Sequence, residues 1–311
     1  NPGKTDLKIY RKRKSFKATI DASSSIPEKS SSVKLLNYYL TDNMLKVVVK
    51  NIPDQIIWLS FLALPIITPI LFSTKNTELF EVPKMVFVYL IASVLLTSTL
   101  FKFAIEKKIN IPKSTIIIAF VVFLLSQVAS TIVSIDKFTS IFGYPSRLNG
   151  GLLSQFAYFV IFLTALVNLD AKKVHQIFAA SIITALVVAI WGIPAHFGYD
   201  PNCAILTGSL DSTCWQKEFD PTKRIFSTLG QPNWLASYLV LIIPVSLAHA
   251  IIAKNSYIRL IFSAATITIF IAFIFTNSRA GFAGLIVSMT IFAFLLGYQG
   301  LRKIFKILAP I

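Results

Sequence analysis

Apolar residues fall in long runs along this chain, and polar residues gather in the stretches between them. The runs cover approximately residues 55–72, 83–104, 114–134, 151–169, 176–197, 233–252, 257–275 and 280–298. A helix needs roughly 18 or more apolar residues to cross about 30 Å of hydrocarbon. In lipid every backbone N–H and C=O must be bonded within the protein, which only helices and closed barrels achieve. Barrel strands alternate apolar and polar positions over about ten residues, and these runs show no such alternation. The pattern predicts an all-α integral membrane protein, a polytopic helical bundle of about eight transmembrane helices. Pro65 and Pro69 interrupt the first run, where a kink is expected.

Residues 1–50 contrast with this pattern. They are polar and basic, with Arg11-Lys12-Arg13-Lys14 followed by serine-rich stretches. Such a segment has too little apolar surface to fold alone, so it reads as a largely disordered cytoplasmic tail drawn to anionic headgroups. Residues 51–311 then form the transmembrane domain. Composition supports this class: 55% of the 311 residues are hydrophobic and 14% charged, where a soluble domain carries about a quarter charged. The first apolar stretch begins only near Ile56, so no secretory signal is read. The start at Asn1 and the end at Ile311, directly after an apolar run, read as a piece of a longer bundle truncated at its C-terminus.

The net charge of +16 could signal a nucleic-acid partner, but its distribution points to membrane lipids instead. Lys and Arg favour the cytoplasmic side of membrane proteins. With the N-terminus inside, the tail and the inner connections hold most of the basic residues, among them Lys102, Lys107, Lys108, Lys113, Lys172, Lys173, Lys254 and Arg259. The outer side holds fewer, including Arg147, Lys223, Arg224 and Arg279. This predicts a multi-pass protein of a bacterial cytoplasmic membrane with its active face periplasmic or extracellular. Its longest outer loop spans about 198–232 and contains Cys203 and Cys214. Outside the cytoplasm is oxidising in many bacteria, which favours a disulfide there; the alternative is two unpaired thiols.

No Walker loop, GxGxxG, HExxH, GxSxG or metal-binding His/Cys cluster is present. Three outer segments carry the candidate chemistry. Gly143-Tyr-Pro-Ser-Arg147-Leu-Asn-Gly-Gly151 precedes the fourth run, where its glycines and proline allow tight re-entry. Arg147 reads either as part of an anion site or as an interfacial anchor. Lys223-Arg224-Ile-Phe-Ser-Thr-Leu-Gly-Gln-Pro-Asn233-Trp-Leu-Ala-Ser-Tyr238 opens the sixth run. Asn233 is there either an oxyanion ligand beside free helix N–H groups or a simple cap. Thr276-Asn-Ser-Arg279-Ala-Gly281 joins the last two runs, and apolar residues on both sides press Arg279 toward the membrane. Guanidinium groups offer planar forks that suit phosphate. Three of them on one side suggest a multi-point site for a lipid-linked phosphate or pyrophosphate.

In order and placement these motifs resemble the O-antigen ligase and O-antigen polymerase (Wzy-type) family of bacterial membrane glycosyltransferases, over roughly residues 55–300. The resemblance implies a C-type glycosyltransferase-like bundle. It also implies an enzyme that moves a glycan from undecaprenyl pyrophosphate to lipid A core, a growing polysaccharide or a protein, with no cofactor and no metal. Arg279 and Arg224 would be catalytic, and with Asn233 and Arg147 would bind the donor pyrophosphate. Family ligases use a histidine of a large periplasmic loop as base. Here only His175, His196 and His249 are present. His196 is the one at an outer helix end, while Glu218 and Asp220 are acidic candidates. The simpler expectation is that the base-bearing loop lies beyond this chain. Trp215 and Trp234 read as interfacial belt residues, with sugar stacking as the alternative.

Two readings of other classes compete. A transporter or flippase for an anionic lipid or solute would want charges deep in several helices, and the helix centres here are nearly free of charge. A membrane scaffold would act through its tail and leave the outer arginines dispensable.

Overall fold

The computed structural model describes residues 51–76, 78–107, 112–215 and 219–308, with side chains to Tyr298. The basic tail, Lys217 and Glu218 lie outside the described residues. From Pro53 onward the chain forms one compact unit. Among the described residues it is all-helical, with a single isolated β-bridge between Tyr199 and Asp211.

Eight apolar helices occupy the eight apolar runs. They are α1 (Asn51–Ile70), α2 (Glu81–Glu106), α3 (Thr115–Ile132), α5 (Leu152–Asn168), α6 (Ala171–His196), α8 (Pro232–Ile252), α9 (Ser256–Phe275) and α10 (Arg279–Leu308). Seven are long and apolar enough to cross a membrane; α5, at 17 residues, is shorter than the 18 that a span needs. The expected count of about eight spans is therefore seven plus this shorter helix. The helix α1 runs through Pro65 and Pro69, as membrane helices permit. Two short helices, α4 (Lys137–Phe142) and α7 (Pro201–Thr207), lie in the connections.

Start signals agree with side-chain chemistry. Ser114, Asp136, Asp170, Asp200 and Asn255 each cap a helix by accepting a backbone N–H. Residues such as Ile116, Ile118 and Leu125 of α3 are largely exposed, as expected of a surface that meets lipid.

Packing follows membrane rules. Lipid is as apolar as leucine, so helices associate through close van der Waals contact and interhelical hydrogen bonds. The largest core joins α6, α8 and α9 around Ala185, Ala189, Ala236, Ala265, Ala272 and Phe273. The alanines among them let the backbones approach. Gly281 of α10 sits so close to α8 that an added Cβ would meet the Ala236 Cβ at 2.8 Å. Ser246 of α8 and Thr266 of α9 share a hydrogen bond of 2.7 Å across the seam. A second core holds Ile57 and Phe61 of α1 against Ile91 and Leu95 of α2.

The helices alternate direction, so their connections collect at two ends. One end carries Lys102, which pairs with Asp54 at 2.7 Å and donates to Asn168 at 3.0 Å. The His175 and His249 rings stack there with centroids 4.6 Å apart. The other end carries the connections 71–80, 133–151, 197–231 and 276–278, and with them all three arginine segments.

Candidate functional site

The first turn of α8 is the hub of that second end. Its N-cap is Gln231, and Pro232 takes the first helical position, where a missing N–H costs nothing. Asn233 is thus inside the helix and not its cap, which removes the simpler reading of that residue. Its side-chain oxygen accepts from Arg224 Nη2 at 2.8 Å and from Ser278 Oγ at 2.9 Å. Arg224 Nε donates to the Thr276 carbonyl at 3.2 Å. One amide oxygen therefore ties the loop before α8 to the turn before α10. The backbone strengthens the same tie, since Ile225 N donates to Phe275 O at 3.1 Å.

The bonds leave Arg224 partly free. A guanidinium has five N–H donors, and only Nε and one Nη2 hydrogen are engaged among the described residues. The edge formed by Nη1 and the second Nη2 hydrogen has no hydrogen-bond partner among the described residues. Arg224 also lines a small cavity of about 200 Å³, with Asp220, Lys223, Phe226, Gln231 and Asn233 among its other walls.

Arg147 reaches the next residue of the same turn. Its guanidinium lies 5.1 Å from the Trp234 ring centroid and its Nε is 3.1 Å from Glu81 Oε2. The loop that delivers it is closed by Gly143, whose φ of +83° and tight contact with Asn149 leave no room for a side chain. Arg279 opens α10 immediately after Ser278 and is exposed, with no hydrogen-bond or ion-pair partner among the described residues. The three arginine segments thus meet around Asn233 and Trp234. Arg224 is bonded to this hub directly, Arg147 stacks on it, and Arg279 is attached through its neighbour Ser278.

Backbone strain marks the same places. Four described non-glycine residues have positive φ; three of them, Leu148, Ser227 and Asn277, lie one in each segment. Asparagine tolerates this region, whereas leucine and serine pay roughly 1–2 kcal/mol. Such strain persists where surrounding contacts over-determine it, commonly at functional sites. Ser227 is held by its hydroxyl, which donates to Val188 O at 2.7 Å, and by its carbonyl, which accepts from Asn202 Nδ2 at 3.0 Å.

Several residues at this end make contacts that the sequence does not show. Asn202 is buried and also accepts from the Trp191 indole at 3.0 Å. Asp200, equally buried, accepts from the Trp215 indole at 2.6 Å. Burial pushes the Asp200 carboxyl above the usual carboxylate range, and the bonds from Asn202 and Trp215 partly offset this. Together with the Cys203–Cys214 disulfide, these contacts fold the long loop onto the end of α6. Lys84 of α2 is buried too; its amine donates to the Thr228 carbonyl and lies 5.5 Å from the Phe80 ring centroid. Lys84 and Glu81 are charges at the edge of an apolar run, the one signal by which the sequence could have shown them.

The remaining candidates are placed as follows. His196 stacks on Phe275 with ring centroids 4.0 Å apart, and its Nδ1 is buried without a partner. It bonds to none of the three arginine segments. Trp215 packs on Phe80 and Phe226. Asp220 accepts from the Thr222 hydroxyl at 2.6 Å and amide at 3.0 Å. The Thr222 hydroxyl above all, with its amide and Lys223, holds the Asp220 carboxyl below the usual carboxylate range. No group of three or more His, Cys, Asp or Glu among the described residues could hold a metal ion. A larger groove of about 450 Å³ between α3, α4 and α5 is walled by apolar residues such as Val121, Leu124 and Phe156. No protein-family model, curated protein or solved structure matches the chain.

Proposed function

We propose that this protein is a membrane glycosyltransferase of the O-antigen ligase and polymerase type, moving a glycan from undecaprenyl pyrophosphate to an acceptor at the outer face of a bacterial cytoplasmic membrane. The observation that carries the reading is the meeting of three arginine segments on the first turn of α8. Breaking a sugar–pyrophosphate bond leaves negative charge on the departing oxygen. Fixed donors aimed at developing charge lower the barrier most when they need no reorganisation. Arg224 has that character, because Thr276 and Asn233 fix its plane while one edge stays open. Arg279 and Arg147 would add charge for the second phosphate. A lipid-linked donor also suits a site at the end of apolar helices, where the prenyl chain stays in the hydrocarbon.

The test is glycan transfer in membranes containing the protein and its polyprenyl-linked donor. Arg224→Ala and Arg279→Ala should each abolish transfer while inserting like the parent. Full activity of both variants would remove the site. Vesicle uptake of an anion without donor turnover would instead favour the transporter reading.

A further inference from the structure

Every residue that lines the groove of about 450 Å³ between α3, α4 and α5 is apolar. Four come from α3 between Val121 and Val128, Ile141 comes from α4, and four come from α5 between Leu152 and Phe159. The groove exists because α3 packs closely on α5 only near mid-helix. There Phe120 meets Phe159 and Phe162, with ring centroids 5.2 and 5.4 Å away. Toward the arginine-bearing end this contact is not continued. Leu124 is the one buried residue of α3, and Leu125 and Val128 stay exposed. At that end the chain is held tightly: a Cβ on Gly151 would lie 2.6 Å from the Ile141 carbonyl oxygen. The end of α4 is thus fixed against the start of α5, and both line the groove.

An unfilled groove is costly, because wall atoms that face a void forfeit their dispersion contacts. Water does not fill this one. A bound water needs about two to four polar partners, and the lining side chains offer none. From Val121 to Val128 a helix rises about 10 Å, which lies within the roughly 15 Å of hydrocarbon in one leaflet. A helix of a second copy is too thick: at about 10 Å across it displaces roughly 800 Å³ over that height. A single hydrocarbon chain fits both the height and the volume. No charged or hydrogen-bonding side chain is there to select among chains. The most abundant chain therefore fills the groove by mass action, and in a cell membrane that is the acyl chain of a phospholipid.

We infer that the groove binds one acyl chain of a phospholipid from the leaflet at the arginine-bearing end, and that this chain completes the packing of α3 against α4 and α5. The chain supplies the dispersion contacts that Leu124, Phe156 and Phe159 lack on their groove side. It also supports α4, from which the backbone passes through Gly143 into the segment that carries Arg147. The inference is independent of the glycosyltransferase reading, since no arginine lines the groove.

The experiment places the full chain in nanodiscs of phosphatidylethanolamine and phosphatidylglycerol. A trace of the phosphatidylethanolamine carries a photoreactive diazirine on one acyl chain, and the adducts are mapped by mass spectrometry. Residues 286–294 of α10, where Ile286 and Phe294 are largely exposed, report ordinary contact with bulk lipid. Adducts on Val121–Val128 and Leu152–Phe159 should be several-fold denser than on that reference. Val128→Trp fills the groove and should bring them down to the reference level. Ile118→Trp, on an exposed position of α3 outside the groove, should leave them unchanged. If Val128→Trp does not insert, Val121→Phe gives the same reading. Undecaprenyl pyrophosphate, added in equal amount to the photolipid, should not displace the adducts. Groove adducts no denser than the reference, or adducts that persist in the filled variant, would overturn the inference. Displacement by undecaprenyl pyrophosphate would overturn it as well, and would assign the groove to a prenyl chain.

Discussion

The bond between Arg224 and Asn233 offers a sharp test of whether the hub prepares a ligand site or merely joins two loops. The perturbation is a double-mutant cycle of Arg224→Ala, Asn233→Ala and the double variant, read as the dissociation constant of undecaprenyl pyrophosphate. A hydrogen bond from a charged donor contributes about 1.5–3 kcal/mol, so losing Arg224 should weaken binding roughly 10- to 150-fold. Asn233 acts at one remove. Its oxygen holds the guanidinium at 2.8 Å, and the Ser278 hydroxyl at 2.9 Å holds the oxygen. The bond is exposed to solvent on one side, so orientation is worth less than a buried bond, about 1 kcal/mol or fivefold. Once Arg224 is gone, Asn233 has nothing left to orient, and the double variant should bind no worse than Arg224→Ala alone. The coupling energy is then close to the whole effect of Asn233→Ala. Additivity within about 0.3–0.5 kcal/mol, the behaviour of independent sites, would refute the argument.

Two further outcomes follow from the packing. Gly281→Val should push α10 off Ala236 and lower the stability of the detergent-solubilised protein by about 1–3 kcal/mol, read as a lower melting temperature; an unchanged value would mean the helices do not meet there. Asp200 titrates higher in the fold than in an unfolded chain because of burial. The native state thus keeps its proton longer, and stability falls as pH rises from the ordinary carboxylate value through the raised one. Melting curves across that acidic range should show this decline in the parent and lack it in Asp200→Asn, and parallel profiles would contradict it.

Much of the architecture was legible in the sequence because a membrane imposes a local rule. Each spanning helix must be apolar along its whole length, so the eight runs return as eight helices, with α5 cut short where Asp170 caps the next helix after a two-residue link. The arginine segments were legible as candidates for a similar reason, since charge beside long apolar runs is costly. What they bond to was not. The Ser278–Asn233 bond crosses 45 residues and the Lys84–Thr228 bond 144. Sequence spacing carries no trace of such pairs. Arg279 drew attention as the charge in the shortest turn, yet the residue that joins the hub is its uncharged neighbour Ser278. Asp200 and Asn202 look like ordinary turn residues until the indoles of Trp215 and Trp191 are seen to reach them.

The shared oxygen of Asn233 also bears on assembly. Its two donors come from the loop before α8 and the turn before α10, and the Arg224 plane is completed by a carbonyl at the end of α9. The fixed orientation of Arg224 is therefore not a property of any one helix. It comes into being only when α8, α9 and α10 have docked, so an incompletely inserted chain exposes a swinging, hydrated arginine with no defined grip. The hub thereby couples the geometry of Arg224 to the docking of α8, α9 and α10 against one another.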